Sequence, residues 1–347
     1  MEGKMKKCLP ILLMTVALVM LCGLTAGAET ITLRFAHQNP DTGLSTTTCV
    51  APWLKQIEEA TGGKVKIQPF YGETLAKGKD MWNATKAGIT DIGWAFHGYW
   101  PGMTPVTDVI SLPAMSFQTA EKGSEVLWKL YEKFPEIQNE FKDVKVLLFY
   151  TSAPYTLITA KKPVTTLEDL KGMKIRMTGG PPTEMVTALG GVPMLIPMPD
   201  SYLSLQKGVI DGMGAPWEAI HVWRFYEVVE YYTEVPFPAV YFSIIMNKGK
   251  WESLPADVQE AIMKVGGEAG SKFWGKNFFD NMKAEGIKKI EEMGQGANVF
   301  ELSQEERQRW IDVGGQPIWD NWVANMEKNG VANARQILDT TIELGRE

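Results

Sequence analysis

Apolar and polar residues alternate one by one through Ile31-Thr32-Leu33-Arg34-Phe35-Ala36, the period-two pattern of a strand. Val50, Trp53, Leu54 and Ile57 then recur at helical spacing, and Gly62-Gly63 closes that helix. Pro52 falls inside it, so the helix either starts there or kinks. Residues 64–68 return to strand, residues 77–87 read as a helix stopped by Gly88, and residues 89–94 form the next strand. Strand after helix at this spacing predicts crossover units and a largely parallel sheet.

A second series begins near Val144. Residues 144–150 and 156–160 read as strands, and Thr165-Thr166-Leu167-Glu168 has the spacing of a capping box that opens a short helix. Lys171-Gly172-Met173-Lys174-Ile175-Arg176-Met177 sets an arginine in a short, mostly apolar strand. A helix over residues 182–189 closes at Gly190-Gly191, residues 192–196 are extended, and Asp200 caps a helix to Lys207. The two series echo each other. Gly88-Ile89-Thr90-Asp91 and Gly208-Val209-Ile210-Asp211 both end a helix at glycine and place an aspartate three residues later. Glycine accepts the left-handed conformation that closes a helix, and aspartate can bond nearby backbone groups. The echo predicts two lobes of similar parts that present strand ends to a shared cleft.

Beyond Tyr241 one more strand is expected at residues 242–247. Ser253-Leu254-Pro255 then opens a long helical stretch towards Met293, with Gly266-Gly267 and Gly270 as bends. Ser303 and Glu306 form another capping-box pair, leading to a helix whose Trp310, Trp319 and Trp322 are expected to pack against the lobes.

The N-terminus reads as an export signal. Lys4, Lys6 and Lys7 precede an apolar run from Leu9 to Leu24, and Ala26-Gly27-Ala28 offers small residues for cleavage after about Ala28. The run is short for a membrane span, and no basic cluster follows it. Three lysines and one glutamate would leave with it, taking the formal charge from −6 to −8. Such a chain has no basic stripe for phosphates, which argues against a nucleic-acid partner. Cys8 and Cys22 would leave too, so Cys49 stands alone and the remaining chain must be held by a core.

Little in the sequence suggests catalysis. His37, His97 and His221 lie far apart, no pair has metal-ligand spacing, and no nucleophile elbow or phosphate loop occurs. Gly212-Met213-Gly214 lacks the third glycine of a dinucleotide fingerprint. Three strand-end segments are instead rich in rings and small polar groups: Trp94-Ala95-Phe96-His97-Gly98-Tyr99-Trp100, Tyr150-Thr151-Ser152-Ala153-Pro154-Tyr155, and Gly214-Ala215-Pro216-Trp217-Glu218. Ligands of open α/β folds bind beyond the carboxyl ends of strands, where all three would lie. Arginine is scarce, 7 against 28 lysines, and only Arg34, Arg176 and Arg224 precede position 300. The planar fork of Arg176 therefore stands out as an anchor for a carboxylate.

Taken in order, "TGGKVKIQPFYGETL", "AGITDIG", "SLPAMSF", "PVTTLEDLKGMKIRM", "ALGGVPMLIPMPDSYLSLQKGVIDG" and "NKGKWESLPADVQEAI" resemble the extracytoplasmic solute receptors of tripartite ATP-independent periplasmic (TRAP) transporters, the DctP-like family. The resemblance covers nearly all of the chain after the signal. It implies a two-lobed α/β periplasmic-binding fold of type II kind, each lobe a mostly parallel sheet flanked by helices, with a long bracing helix. The expected division is residues 1–28 as signal, 29–152 with 242–285 as the first lobe, and 153–241 with 286–347 as the second. It further implies a small carboxylate ligand and the membrane permease of a TRAP transporter as partner; no cofactor is expected, and whether a cation assists binding is left open by the sequence.

Arg176 matches the position that holds the ligand carboxylate in that family. Many members carry a second arginine where this chain has Tyr155, and an asparagine where it has Ala215. The expected binding set is Arg176, Tyr155, Trp217, Trp94, Phe96, His97, Tyr99, Tyr150, Gln38, Thr178 and Ala215, suited to a monocarboxylate with an apolar or aromatic body. The competing expectations are a receptor for an ABC importer or sensor kinase, and a periplasmic enzyme on the same scaffold with His97 as its candidate base.

Overall fold

The computed structural model describes residues 30–347. The signal segment, its cysteines and its cleavage point lie outside the described residues. Among the described residues eleven strands build two sheets: β1 (Ile31–Ala36), β2 (Val65–Phe70), β3 (Ile92–Phe96), β4 (Val144–Thr151), β5 (Thr156–Thr159), β6 (Lys174–Met177), β7 (Val192–Leu195), β8 (Gly212–Ala215), β9 (Tyr231–Glu234), β10 (Tyr241–Asn247) and β11 (Val299–Glu301). The first sheet has the order β2-β1-β3-β10-β4, and the second β7-β6-β8-β5-β9-β11.

The two orders are the same plan. In each, three consecutive parallel strands are followed by one reversed strand, β10 or β5, and then by a strand running with the first three. Each sheet is thus mostly parallel with a single inverted member, and the chain crosses between lobes where β4 leads to β5 and β9 leads to β10.

The echoed turns are the same structure. Gly88 and Gly208 adopt φ of 72° and 67°, a conformation open to glycine. The Asp91 amide donates to Arg34 O at 3.1 Å, while the Arg34 amide donates to Asp91 Oδ2 at 2.8 Å. In the second lobe the Asp211 amide donates to Lys174 O and the Lys174 amide to Asp211 Oδ2, both at 2.8 Å. These reciprocal bonds occupy the residues before each strand, so β3 begins at Ile92 rather than Ile89.

Several local expectations shift by a residue or two. The helix of Trp53 starts at Ala51, directly after a π-helical turn, Thr46–Val50, and Pro52 sits in its first turn. Proline brings no amide to the ladder, and a widened turn beside it relieves the mismatch. The capping box pairs Thr166 with Asp169, not Thr165 with Glu168, because Asp169 Oδ2 collects the Thr165 and Thr166 amides. Glu168 instead meets Arg309. Asp200 is no cap: its helix, Met198–Gln206, opens at Met198 behind Pro197.

The stretch after Pro255 breaks at Gly266 and at Gly267, whose φ is 56°. Gly270 lies inside the next helix, Gly267–Trp274. That helix runs through a π-helical turn, Gly275–Asp280, towards Met282–Glu292. It packs on Ala120–Lys133 of the first lobe and, at its far end, on Trp217–Val222 of the second, so it braces both. Ser303 caps its helix through the Glu306 amide, but the Glu306 carboxylate turns to the Leu167 amide and Arg309. The tryptophans are structural. Trp322 and Trp319 donate to Pro105 O and Pro113 O, and Trp310 is fully buried against Phe237. The last helix, Ala334–Arg346, expected with the second lobe, lies on Ala120–Lys133 of the first.

Candidate functional site

β6 carries Arg176 to the cleft at 1% exposure. Its Nε donates to Ile196 O at 2.9 Å, which fixes the plane of the guanidinium. Nη1 is buried and has no partner among the described residues; the same holds for Thr178 Oγ1, two residues on. Arg34, Arg224, Arg309 and Arg335 are each paired with an acid, whereas Arg176 forms no ion pair among the described residues. A buried charge without a counter-ion is expensive unless an anion joins it. The arrangement therefore suits a carboxylate.

A cavity lies between the lobes. Its first-lobe wall is Gln38 and Asn39 after β1, Trp94 and Phe96 of β3, Tyr99, and Phe242 of β10. Tyr155, Met198, Pro216, Glu218, Ala219 and Trp223 come from the second lobe. Phe278 and Phe279 reach it from the π-helical turn of the brace, a local widening that often marks functional positions. Arg176 is not itself in this lining, but its charge is felt there: burial pushes the Tyr99 and Tyr155 hydroxyls up, and the guanidinium draws both back part of the way.

The lobes touch around the cavity. Asn39 Nδ2 and Ser45 Oγ of the first lobe donate to Glu218 Oε1 of the second, at 3.0 and 2.6 Å. The Met198 amide donates to the Tyr99 hydroxyl at 3.1 Å, and that hydroxyl donates to Gln38 Oε1 at 2.8 Å. The Gly179 amide donates to Gly98 O at 3.0 Å. Here glycine is required, since a Cβ on Gly98 would stand 2.8 Å from Thr178 Cβ.

Of the residues expected at the site, Gln38, Trp94, Phe96, Tyr99 and Tyr155 line the cavity, and Arg176 and Thr178 are buried with unpartnered polar atoms. The other four do not line it. His97 follows Phe96, the last residue of β3, and opens a 3-10 turn, His97–Tyr99, that carries its ring onto Tyr241 at 4.7 Å. Both its nitrogens are occupied, Nε2 by Ser243 at 2.9 Å and Nδ1 by Thr104 at 3.3 Å, and burial lowers it to about 3. Tyr150 stands behind the wall, stacked on Phe242, with its hydroxyl accepting from Trp94 Nε1 at 2.5 Å. Trp217 stacks on Tyr232, donates to Glu234, and borders a separate hollow. Ala215 is wholly buried.

Sequence reasoning missed Asn39, Met198, Trp223, Phe242, Phe278, Phe279 and above all Glu218. The signal for Glu218 was present: it is the only acid in the three aromatic strand-end segments. Its carboxyl is pushed up to about 7 by burial, against the pull of the Ser45 and Asn39 bonds. Among the described residues no cluster of His, Cys, Asp and Glu gathers as a metal site, and no helix is long and apolar enough to cross a membrane.

Comparison with known proteins agrees with this geometry. The chain is similar to the C4-dicarboxylate-binding periplasmic protein DctP of Rhodobacter capsulatus, 27% identical over 300 residues that cover 86% of this chain and 88% of that one. Its fold matches a TRAP solute-binding protein from Rhodoferax ferrireducens solved with copurified benzoate, at a TM-score of 0.85 and 26% identity, covering 91% of this chain and 98% of that one. It matches equally, at 0.85 and 26% over the same shares, a marine-metagenome TRAP solute-binding protein specific for aromatic acid ligands and crystallised with 3-hydroxybenzoate. The sequence profile of the bacterial extracellular solute-binding proteins, family 7 (DctP), matches residues 35–325. With that span, the paired sheets and the cleft between them, the chain belongs to this family of solute receptors.

Proposed function

We propose that this receptor captures a monocarboxylic acid with an aromatic or apolar body and delivers it to a TRAP-type permease, with no covalent chemistry of its own. The observation that carries the reading is Arg176: 1% exposed, oriented by Ile196 O, and with Nη1 lacking any protein partner among the described residues. A charge-assisted pair there contributes roughly 1.5–3 kcal/mol net, and closure of the lobes excludes the water that would screen it. The carbon surface of Trp94, Phe96, Phe242, Phe278 and Phe279 supports a ring-bearing guest. So do the solved relatives named above, with their benzoate and 3-hydroxybenzoate. Tyr155, in place of a second arginine, offers a dicarboxylate no second cation.

In this reading residues 29–152 with 242–285 and 153–241 with 286–333 move as the two lobes, hinged at their crossings, and the last helix, Ala334–Arg346, rides on the first. The mature protein works in the periplasm after cleavage near Ala28. Native mass spectrometry of freshly purified protein should reveal a copurified acid, and calorimetry should then rank it. Binding confined to C4-dicarboxylates would sink the monocarboxylate assignment. The enzyme alternative has lost its candidate base, since His97 lies outside the cavity. An ABC or sensor partner is separated by the neighbouring genes, which should encode a small four-helix-type permease subunit.

A further inference from the structure

We infer that Glu218 is a second recognition point in the cavity, reading a hydroxyl group on the part of the ligand remote from its carboxylate; this rests on the carboxylate-receptor reading above. Glu218 is 4% exposed and sits at the start of the helix Trp217–Val222. Oε1 takes both of its protein bonds, from Ser45 Oγ and Asn39 Nδ2. Oε2 takes none among the described residues, although the side chain lines the cavity. Glu218 also forms no ion pair there, with Arg176 or any other cation. Yet both act on one neighbour, since the Tyr155 hydroxyl feels the charges of Arg176 and Glu218 together. A guanidinium donor and a carboxyl oxygen thus both act on Tyr155 of the cavity wall without pairing with each other among the described residues. In the carboxylate-receptor reading a guest meets both.

The chemistry of the second contact follows from what Oε2 can accept or give. A bare C–H leaves it desolvated and unpaired. A second carboxylate meets it with like charge. An ammonium suits only the ionised form, whereas burial holds this carboxyl near neutrality, where both forms are populated. A hydroxyl donates to the carboxylate and accepts from the acid, so it serves either form. The bonds to Ser45 and Asn39 orient the carboxyl from the opposite lobe, so the reader is completed only when the lobes meet.

The test is calorimetry of the mature protein at pH 7.4 with matched acids: benzoate against 3- and 4-hydroxybenzoate, phenylacetate against its ring-hydroxylated forms, and hexanoate against 6-hydroxyhexanoate. At least one hydroxylated member is expected to bind about tenfold or more tightly than its partner. Glu218→Met should bring that ratio to within about twofold, while Glu230→Gln, an exposed acid of the same lobe outside the cavity lining, should retain it. Should Glu218→Met fail to fold, a crystal structure with the tighter acid decides: its hydroxyl within bonding distance of Oε2 supports the inference, and a hydroxyl elsewhere overturns it. Acids bound with no hydroxyl preference, or a preference unchanged by Glu218→Met, overturn the inference and leave the receptor reading standing. If no acid binds, and Arg176→Ala changes nothing, the receptor reading fails and takes the inference with it.

Discussion

Arg34 in the first lobe and Lys174 in the second hold one structural position, each exchanging two backbone bonds with the aspartate of an echoed turn. Strand register extends the equivalence. Phe35 pairs with Ile92 and Ala36 with Gly93, as Ile175 pairs with Gly212 and Arg176 with Met213. Where the first lobe has a buried Ala36, the second therefore has Arg176. Both lobes are built to one plan, and the proposed carboxylate anchor arises from a single side chain added to one of them. The arginine of the first lobe shows what its position withholds. Arg34 is part-exposed, bonded through Nε to Asp91 at 3.1 Å and through Nη2 to Gly88 O. It closes a turn. Arg176, two residues beyond Lys174 on its strand, pairs with no acid among the described residues, and its Nη1 has no partner there.

The sharpest way to break this contrast is to truncate both arginines. Arg176→Ala should weaken binding of the copurified acid on the order of 100-fold by calorimetry, with Arg176→Lys nearly as poor because it lacks the fork. Arg34→Ala should leave affinity unchanged and lower stability by about 1 kcal/mol in denaturant melts. Affinities within threefold of wild type for both Arg176 variants would erase the distinction.

The second lobe's buried acid offers a pH test. The Glu218 carboxyl lies near 7 when folded, above its ordinary 4.5. Between those values the folded state keeps a proton that the unfolded chain releases, so this group's contribution to stability falls as pH rises through the window. Asp108 and Glu140, also pushed up to about 7 by burial, act with the same sign, and His37 and His97, lowered from 6.5 to about 3, with the opposite sign below pH 6.5, so the wild-type trend is a sum. Glu218→Gln removes one titration and isolates it. Relative to wild type, the variant should gain on the order of 2 kcal/mol between pH 5 and pH 8, measured by urea unfolding. A difference that stays flat with pH would remove the buried-acid premise.

The equivalence of the turns is probed by Asp91→Ala and Asp211→Ala. Each leaves a strand amide without its acceptor and should lower stability by roughly 1–2 kcal/mol. Costs that differ by more than about 1 kcal/mol would show that the two lobes do not bear load alike.

Much of the framework was legible because it is local. Gly88 and Gly208 with their aspartates marked both turns, and the alternation of β1 and the apolar setting of Arg176 were plain in the chain. Errors were small where competing local bonds decide. Asp169 rather than Glu168 closes the capping box because it reaches two amides at once. Among the rings expected at the site, Trp94 and Phe96 line the cavity while His97 and Trp217 do not. A strand alternates its faces and a helix rotates them, so neighbours in one aromatic segment part company.

By itself the sequence determined the series of strands and helices, their glycine stops, and the presence of one arginine amid apolar residues. Periodicity and backbone bonding act within a few residues, and the chain records them directly. Tertiary structure alone decided which buried rings face the cavity and which face the core, for hydrophobicity marks both in the same way. It also decided that Glu218 meets Asn39 and Ser45, residues 179 and 173 positions away. Contacts of that range depend on how two sheets are brought together, and no local pattern encodes the approach.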